Sequence, residues 1–317
     1  MENESLTEPS PNPRPLIPDF DALLAHASTL SGKRVAVVSP GNAETFSGIV
    51  QAQQTLHAFF VLAGDSEVIQ HGMSSLGGDP SLMEIIHRPD PKSALRAAIN
   101  AVRDEKADIL MKGSVDTGTM MKAVLEEGSG LRTGRLLSDI FILEYLPRTP
   151  NKFIMITDGG ITLAPDLKDK IELIRNAVEV AHALGNPMPK VAMLSATEFV
   201  LPNLQSTVDA AVLSKMNERG QITGCIVDGP FALDNAISGG AAAEKRIKSE
   251  VAGQAEILVA ANIESANSLA KSTTYFAGLR LAHVIVGARV PILIPSRADK
   301  SDAKLLSIAL GMIMASP

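Results

Sequence analysis

Short, unbroken runs of apolar and β-branched residues recur along the chain, each too short for a helix and most followed by a polar turn. RVAVV at 34–38, FFVL at 59–62, DILM at 108–111, FIMI at 153–156 and VAML at 191–194 read as strands. CIV at 225–227, ILV at 257–259, VIV at 284–286 and ILI at 292–294 read the same way, and IFIL at 140–143 is strand-like. Runs that do not alternate apolar with polar suit strands buried on both faces, as in a parallel sheet. Between them the period changes. Leu167, Ile171, Ile174 and Val178 recur at helical spacing after Pro165-Asp166 and before Gly185, so both ends of a helix are marked. Leu204, Val208, Val212 and Met216 repeat the pattern before Gly220, which reads as a C-terminal cap. Strand and helix in alternation predict an α/β fold with covered sheets. Tryptophan is absent and aromatics are 3% of the chain, so the core must be filled by Ala, Leu, Ile, Val and Met.

Composition then removes several classes of function. A formal charge of −6 argues against nucleic acid as a partner, because such binders carry a basic face. No run of about 18 apolar residues occurs, so no membrane span is predicted. The single Cys225 excludes an intramolecular disulfide and a multi-cysteine metal site, and agrees with a reducing, cytoplasmic setting. It stands beside Ile226 and Val227, where burial makes a thiol inert. His26, His57, His71, His87, His182 and His283 are scattered, with no H-E-x-x-H spacing, so no metal is expected. No G-x-S-x-G elbow is present to support a hydrolytic serine. Residues 1–18 are acidic and rich in Pro, Ser and Asn; they lack the basic start and apolar stretch of a secretory signal and read as a disordered tail.

In open α/β sheets, ligands bind beyond the carboxyl ends of strands, where the next helix begins. The turn after DILM carries Lys112, Ser114, Asp116 and Thr117 ahead of a helix that runs to about Glu126. A small-residue turn, hydroxyls, a cation and a helix N-terminus make an anion site; the same spacing serves equally if Asp116 or Thr117 only caps the helix. The segment GSGLRTGR at 128–135 matches neither G-x-x-x-x-G-K-[ST] nor G-x-G-x-x-G after a strand. Its Arg132 and Arg135 either grip phosphates in a bidentate manner or belong to a solvated turn. After the run at 292–294 come Ser296, Arg297, Asp299 and Asp302, followed by a final helix marked by Leu305, Leu306, Ile308 and Leu310. Serine and arginine there suit a phosphoryl group and an aspartate suits a base, with a cap and a surface arginine as the other reading. Asp158 and Asp228 each follow a strand and precede glycine; they contact substrate or simply build tight turns.

Taken together, these segments resemble the phosphate acetyl/butyryltransferase family. MKGSVDT at 111–117, GLRTGRLLS at 130–138, ITDGGITLAPDL at 156–167, NERGQITGCIVDGPFALDNAIS at 217–238 and PSRADKSDAKL at 295–305 carry the likeness in order. It extends over about residues 30–310, and the wording is closer to the butyryl branch. The resemblance implies two α/β domains with a cleft between them, like those of isocitrate and isopropylmalate dehydrogenases. Residues 19–142 and 290–317 would form the first domain, and residues 143–289 the second. It also implies a homodimer, with acyl-CoA/CoA and phosphate/acyl phosphate as partners and no cofactor, coenzyme A being a substrate. The implied reaction is direct acyl transfer between them in a ternary complex.

Carried over by position, Ser296 and Arg297 match the family's serine-arginine pair and bind phosphate or acyl-phosphate oxygens. In the acetyl branch the acid lies seven residues beyond that serine, where this chain has Ala303. Asp302 is the nearer replacement, ahead of Asp299. Lys122 stands where the acetyl branch has an arginine, which keeps the charge and loses the fork. Two other readings follow from the same residues: a non-catalytic acyl-CoA or phosphate sensor, motivated by Ala303, and a metal- and nicotinamide-dependent dehydrogenase of the same fold.

Overall fold

The computed structural model describes residues 14–30, 32–296 and 298–316. Strands β1 (Arg34–Val38), β2 (Phe59–Gly64), β3 (Met83–His87), β4 (Ile109–Lys112), β5 (Ser138–Glu144) and β6 (Phe153–Thr157) come from the first half of the chain. Strands β7 (Lys190–Leu194), β8 (Ile226–Phe231), β9 (Ile257–Val259), β10 (Leu281–Val286) and β11 (Ile292–Leu293) come from the second. The helices are α1 (Phe20–Ala27), α2 (Ala43–Leu56), α3 (Ser66–Ser75), α4 (Pro91–Arg103), α5 (Thr117–Leu125) and α6 (Leu167–Ala183). They continue with α7 (Gln205–Glu218), α8 (Leu233–Ile237), α9 (Gly239–Glu244), α10 (Ile263–Tyr275) and α11 (Ser301–Met314). None is long and apolar enough to cross a membrane among the described residues.

All the strands join one eleven-stranded sheet in the order β3-β2-β1-β4-β11-β10-β5-β6-β9-β7-β8. The sheet is mixed rather than wholly parallel: β10 runs antiparallel to β11 and β5, and β5 antiparallel to β6. The late strand β11 pairs in parallel with β4, so the segment around residue 294 returns beside the early strands. The boundary expected after residue 142 falls inside β5.

Unbroken apolar runs became strands because both sheet faces are covered. In β1, Val35 and Val37 enter a core that spans one whole face, while Ala36 and Val38 enter a core on the other. That second face is interrupted. One cluster gathers residues of β1, β2, β4, β11, α4 and α5; another gathers Phe141, Leu143, Ile154 and Ile156 with residues of α8, α9 and α10. The break lies between Ile285 of β10, which belongs to the first of these clusters, and Phe141 and Leu143 of β5, which belong to the second.

Local signals set the helix ends. Asp166 caps α6 in a reciprocal capping box with Asp169, and Gly185 follows at φ 81°, a conformation glycine adopts without steric cost. Two expectations need correction. Residues 14–18 are not part of a loose tail: Ile17 is buried, its N–H donates to the Leu184 carbonyl at 2.9 Å, and the Pro18 carbonyl accepts from Lys152 N at 2.9 Å. Asp228 lies inside β8 rather than in a turn beyond a strand. Residues 1–13 lie outside the described residues.

Candidate active site

A cavity of about 590 Å³ opens at the break in the second core, a size suited to a small ligand or part of a larger one. Two strand ends supply one side. The chain leaves β4 through the buried Lys112, and Gly113 passes so close to β1 that a side chain there would strike the Val38 and Ser39 backbone. Ser114 N donates to the Ser39 carbonyl at 2.9 Å, and α5 then starts at Thr117. Asp116 caps that helix by accepting from Thr119 N at 2.8 Å, and hydrogen bonding from the Thr119 side chain and then its backbone holds the carboxyl below the usual range. The capping reading is therefore realised, and Lys112, Asp116 and Thr117 also line the cavity.

The second strand end is β11, whose following turn contributes Ile294, Ser296 and Asp299 to the wall. Asp299 Oδ2 accepts from Ser296 N at 2.7 Å and closes the turn. The wholly buried Lys304 donates through Nζ to the Ser296 carbonyl at 3.4 Å and to the Asp299 carbonyl. Burial lowers the pKa of that ammonium, against the opposing pull of Asp299 and Glu44. Arg297 lies outside the described residues.

The floor comes from β5 and β10. His283 sits directly across from Phe141 in the antiparallel register, and the rings stack at 4.9 Å. His283 Nδ1 is 3.0 Å from Asp139 Oδ1, and Nε2 is 3.9 Å from Asp299 Oδ2. Burial opposes a charge on this imidazole, but Asp139 and then Asp299 outweigh it, and the pKa is raised above 6.5.

Opposite, Asp158 is 3% exposed and accepts from the backbone N–H groups of Asp139, Gly160, Ile161 and Thr162 at 2.9–3.3 Å. Burial, and then the Asp139 carboxylate, push its pKa up to about 6 against those hydrogen bonds. The turn it organises brings Gly159 and Gly160 into the wall. A Cβ on Gly159 would lie 2.6 Å from the Phe141 ring, and one on Gly160 would fall on the Asp139 carboxylate. The far side is α10, through Ile263, Asn267 and Lys271 at helical spacing. Val115, Phe141, Ile263, Leu281 and Ile294 give the cavity an apolar share beside its charged groups.

The structure thus brings Lys112, Asp116, Thr117, Ser296 and Asp299 into one cavity, with Asp158 behind its rim and Ser114 in the turn below. It does not bring the other described candidates there. Asp302 is the first-turn acid of α11 and pairs with Arg280 at 3.2 Å. Arg135 pairs with Glu179 at 2.6 Å and with Asn176 at 2.5 Å; Arg132 and Lys122 are exposed. Asp228, on the sheet's outer strand β8, accepts from Ser214 Oγ at 3.0 Å. Cys225 is buried, which pushes its thiol up to about 11. Sequence reasoning missed Asp139, His283, Lys271 and Lys304. A histidine and an aspartate inside otherwise apolar strands were the available signal for the first two.

The family model described as "Phosphate acetyl/butaryl transferase" matches residues 63–312. The probable phosphate butyryltransferase of Bacillus subtilis is 43% identical over 92% of this chain and 96% of its own length. The phosphate acetyltransferase of Thermotoga maritima is 41% identical over 90% of this chain and 96% of its own. A branched-chain phosphotransacylase from Enterococcus faecalis superposes with a TM-score of 0.79 at 29% identity, covering 90% of this chain and 99% of that one. A match across most of the chain, from family model, sequence relatives and fold alike, means that this protein is an acyltransferase of the phosphate acetyl/butyryltransferase family.

Proposed function

We propose that the cavity exchanges an acyl group between coenzyme A and inorganic phosphate: acyl-CoA plus phosphate gives acyl phosphate plus CoA, by direct transfer with both substrates bound. The observation that carries this is the meeting of two distant strand-end turns, Lys112–Thr117 and Ser296–Asp299, beside an apolar wall. Lys112, Thr117, Ser296 and Arg297 hold the phosphate oxygens and the charge that develops on them. The apolar side chains take the acyl group. Asp299 is the acid nearest the attacking sulfur, in preference to Asp302, whose carboxylate is engaged by Arg280. Alignment of the two substrates supplies much of the acceleration, without a covalent enzyme intermediate.

The same proposal treats coenzyme A as substrate rather than cofactor and the protein as a cytoplasmic homodimer. Its two α/β halves, joined through the β10–β5 seam and organised as in isocitrate and isopropylmalate dehydrogenases, face each other across the cavity. The break in the second core at that seam supports this division.

The test is release of free CoA thiol from acetyl-, propionyl- and butyryl-CoA, with and without phosphate. Phosphate-dependent release is expected, and the ratio of kcat/KM values names the preferred acyl chain. Folded protein that binds CoA yet releases none from any ester would instead be a sensor.

A further inference from the structure

The proposed reaction poses a problem of proton affinity, and the floor of the cavity contains an answer. A thiol has a pKa near 8.5 and an aspartate near 3.9, so a lone carboxylate is a weak acceptor for the thiol's proton. General acid–base groups work best with a pKa close to the operating pH. His283 is 6% exposed and lines the cavity. Its position is fixed from three sides: Nδ1 is 3.0 Å from Asp139, its backbone N–H donates to Ser307 Oγ at 3.1 Å, and its ring stacks on Phe141. The other ring nitrogen faces Asp299 at 3.9 Å. With Nδ1–H donated to Asp139, Nε2 carries the lone pair and points at the acid beside the substrate.

We propose that Asp299 and His283 act as one acid–base unit, in which Asp299 takes the proton of the CoA thiol and His283, held by Asp139, stores it. This rests on the acyl-transfer reading given above. As the sulfur attacks the acyl carbon, its S–H bond breaks and the proton passes to Asp299 and on to Nε2, the 3.9 Å between them closing to hydrogen-bond distance or bridged by one water. The bond from acyl carbon to phosphate oxygen then breaks, and the stored proton goes to the departing phosphate; the reverse reaction retraces the path. During the step the imidazolium lies between two carboxylates. His283 acts through Asp299 and is a positioning and proton-holding residue.

The charged groups around it are Asp139 on β5, Asp299 after β11 and Lys271 on α10. Lys112 at the end of β4 lines the same cavity, Lys304 on α11 holds the Asp299 turn, and Asp158 after β6 stands behind Asp139. Nε2 must be unprotonated at rest, so activity rises with pH along a limb set by His283.

The experiment measures pH profiles of kcat/KM for phosphate-dependent CoA release by the full-length protein and three variants: His283→Asn, His283→Gln and Asp139→Asn. Asparagine keeps the contact to Asp139 and deletes Nε2. The wild-type acid limb is expected above pH 6.5. In His283→Asn it should vanish from that range while kcat falls roughly 100-fold with KM for phosphate nearly unchanged. Asp139→Asn should move the limb to lower pH with a loss of about tenfold. A folded His283→Asn protein with a wild-type limb and a rate within about threefold of wild type overturns the proposal and leaves the acyl transfer intact. Should His283→Asn not fold, His283→Gln and Asp139→Asn decide by the same criterion. A wild-type protein without phosphate-dependent release overturns both readings.

Discussion

Asp299 and Asp302 differ by less than one helical turn in sequence, and their surroundings separate their roles. Asp299 closes the turn after β11 and faces the cavity; Asp302 points to Arg280 on the flank of α11. Asp299→Asn should therefore lower kcat by about 100-fold, whereas Asp302→Asn should stay within about threefold, since a half-exposed ion pair contributes little. Steady-state kinetics on the two proteins, with folding checked by circular dichroism, compares them directly. The turns were legible in the sequence because Lys112 and Ser296 stand where an apolar run stops, and that is where parallel strands present ligands. The partnership of Asp139 and His283 was not legible. Their meeting depends on the antiparallel register that sets His283 against Phe141 and Ile285 against Asp139, two positions along on the same sheet face, and no local pattern encodes that pairing.

At the scale of elements, the strands read correctly were those covered on both faces. β3 went unread because it lies at one edge of the sheet with every residue half-buried or exposed, so its apolar content is diluted by Glu84 and His87. The helix pair α2 and α11 shows how an element can serve a site it does not touch. Gly48 of α2 lies so close to α11 that an added Cβ would stand 2.9 Å from Lys304 Cβ, and Lys304 is the residue whose ammonium holds the Ser296–Asp299 turn. Gly48→Ala gains about 1 kcal/mol of helix propensity and loses about 1–3 kcal/mol to overpacking. The expected result is a lower thermal midpoint together with a several-fold drop in kcat, since the displaced helix carries Lys304 with it. A midpoint at or above wild type would show that the two helices separate without strain.

At the scale of the molecule, buried ionisable groups tie stability to pH. Asp158 has its folded pKa raised to about 6, so its contribution is complete below about pH 3.8 and is lost as pH rises through 6. The difference corresponds to roughly 3 kcal/mol. His283, also raised, contributes below pH 6.5 and loses that contribution as pH climbs through its folded value. Asp19 and Glu198 are lowered by Lys152 and by hydrogen bonding; they act in the opposite sense, stabilising above about pH 4 and failing below it. Stability should thus peak on the acid side of neutrality. Urea unfolding between pH 4 and 7.5 should show the wild type losing stability with rising pH more steeply than Asp158→Asn. The α/β class was readable from the alternation of periods, but the mixed sheet was not, because strand direction is settled by crossovers between segments far apart in the chain.

The position of β11 has a further consequence, for biosynthesis. This strand and α11 leave the ribosome after every other described element, yet β11 lies between β4 and β10 in the middle of the sheet. Until it arrives, the early strands keep an open edge along β4, and the wall that carries Ser296 and Asp299 does not exist. Unpaired strand edges are the usual starting point of aggregation. The nascent chain is therefore most vulnerable, and lacks this wall of the cavity, until β11 closes the sheet.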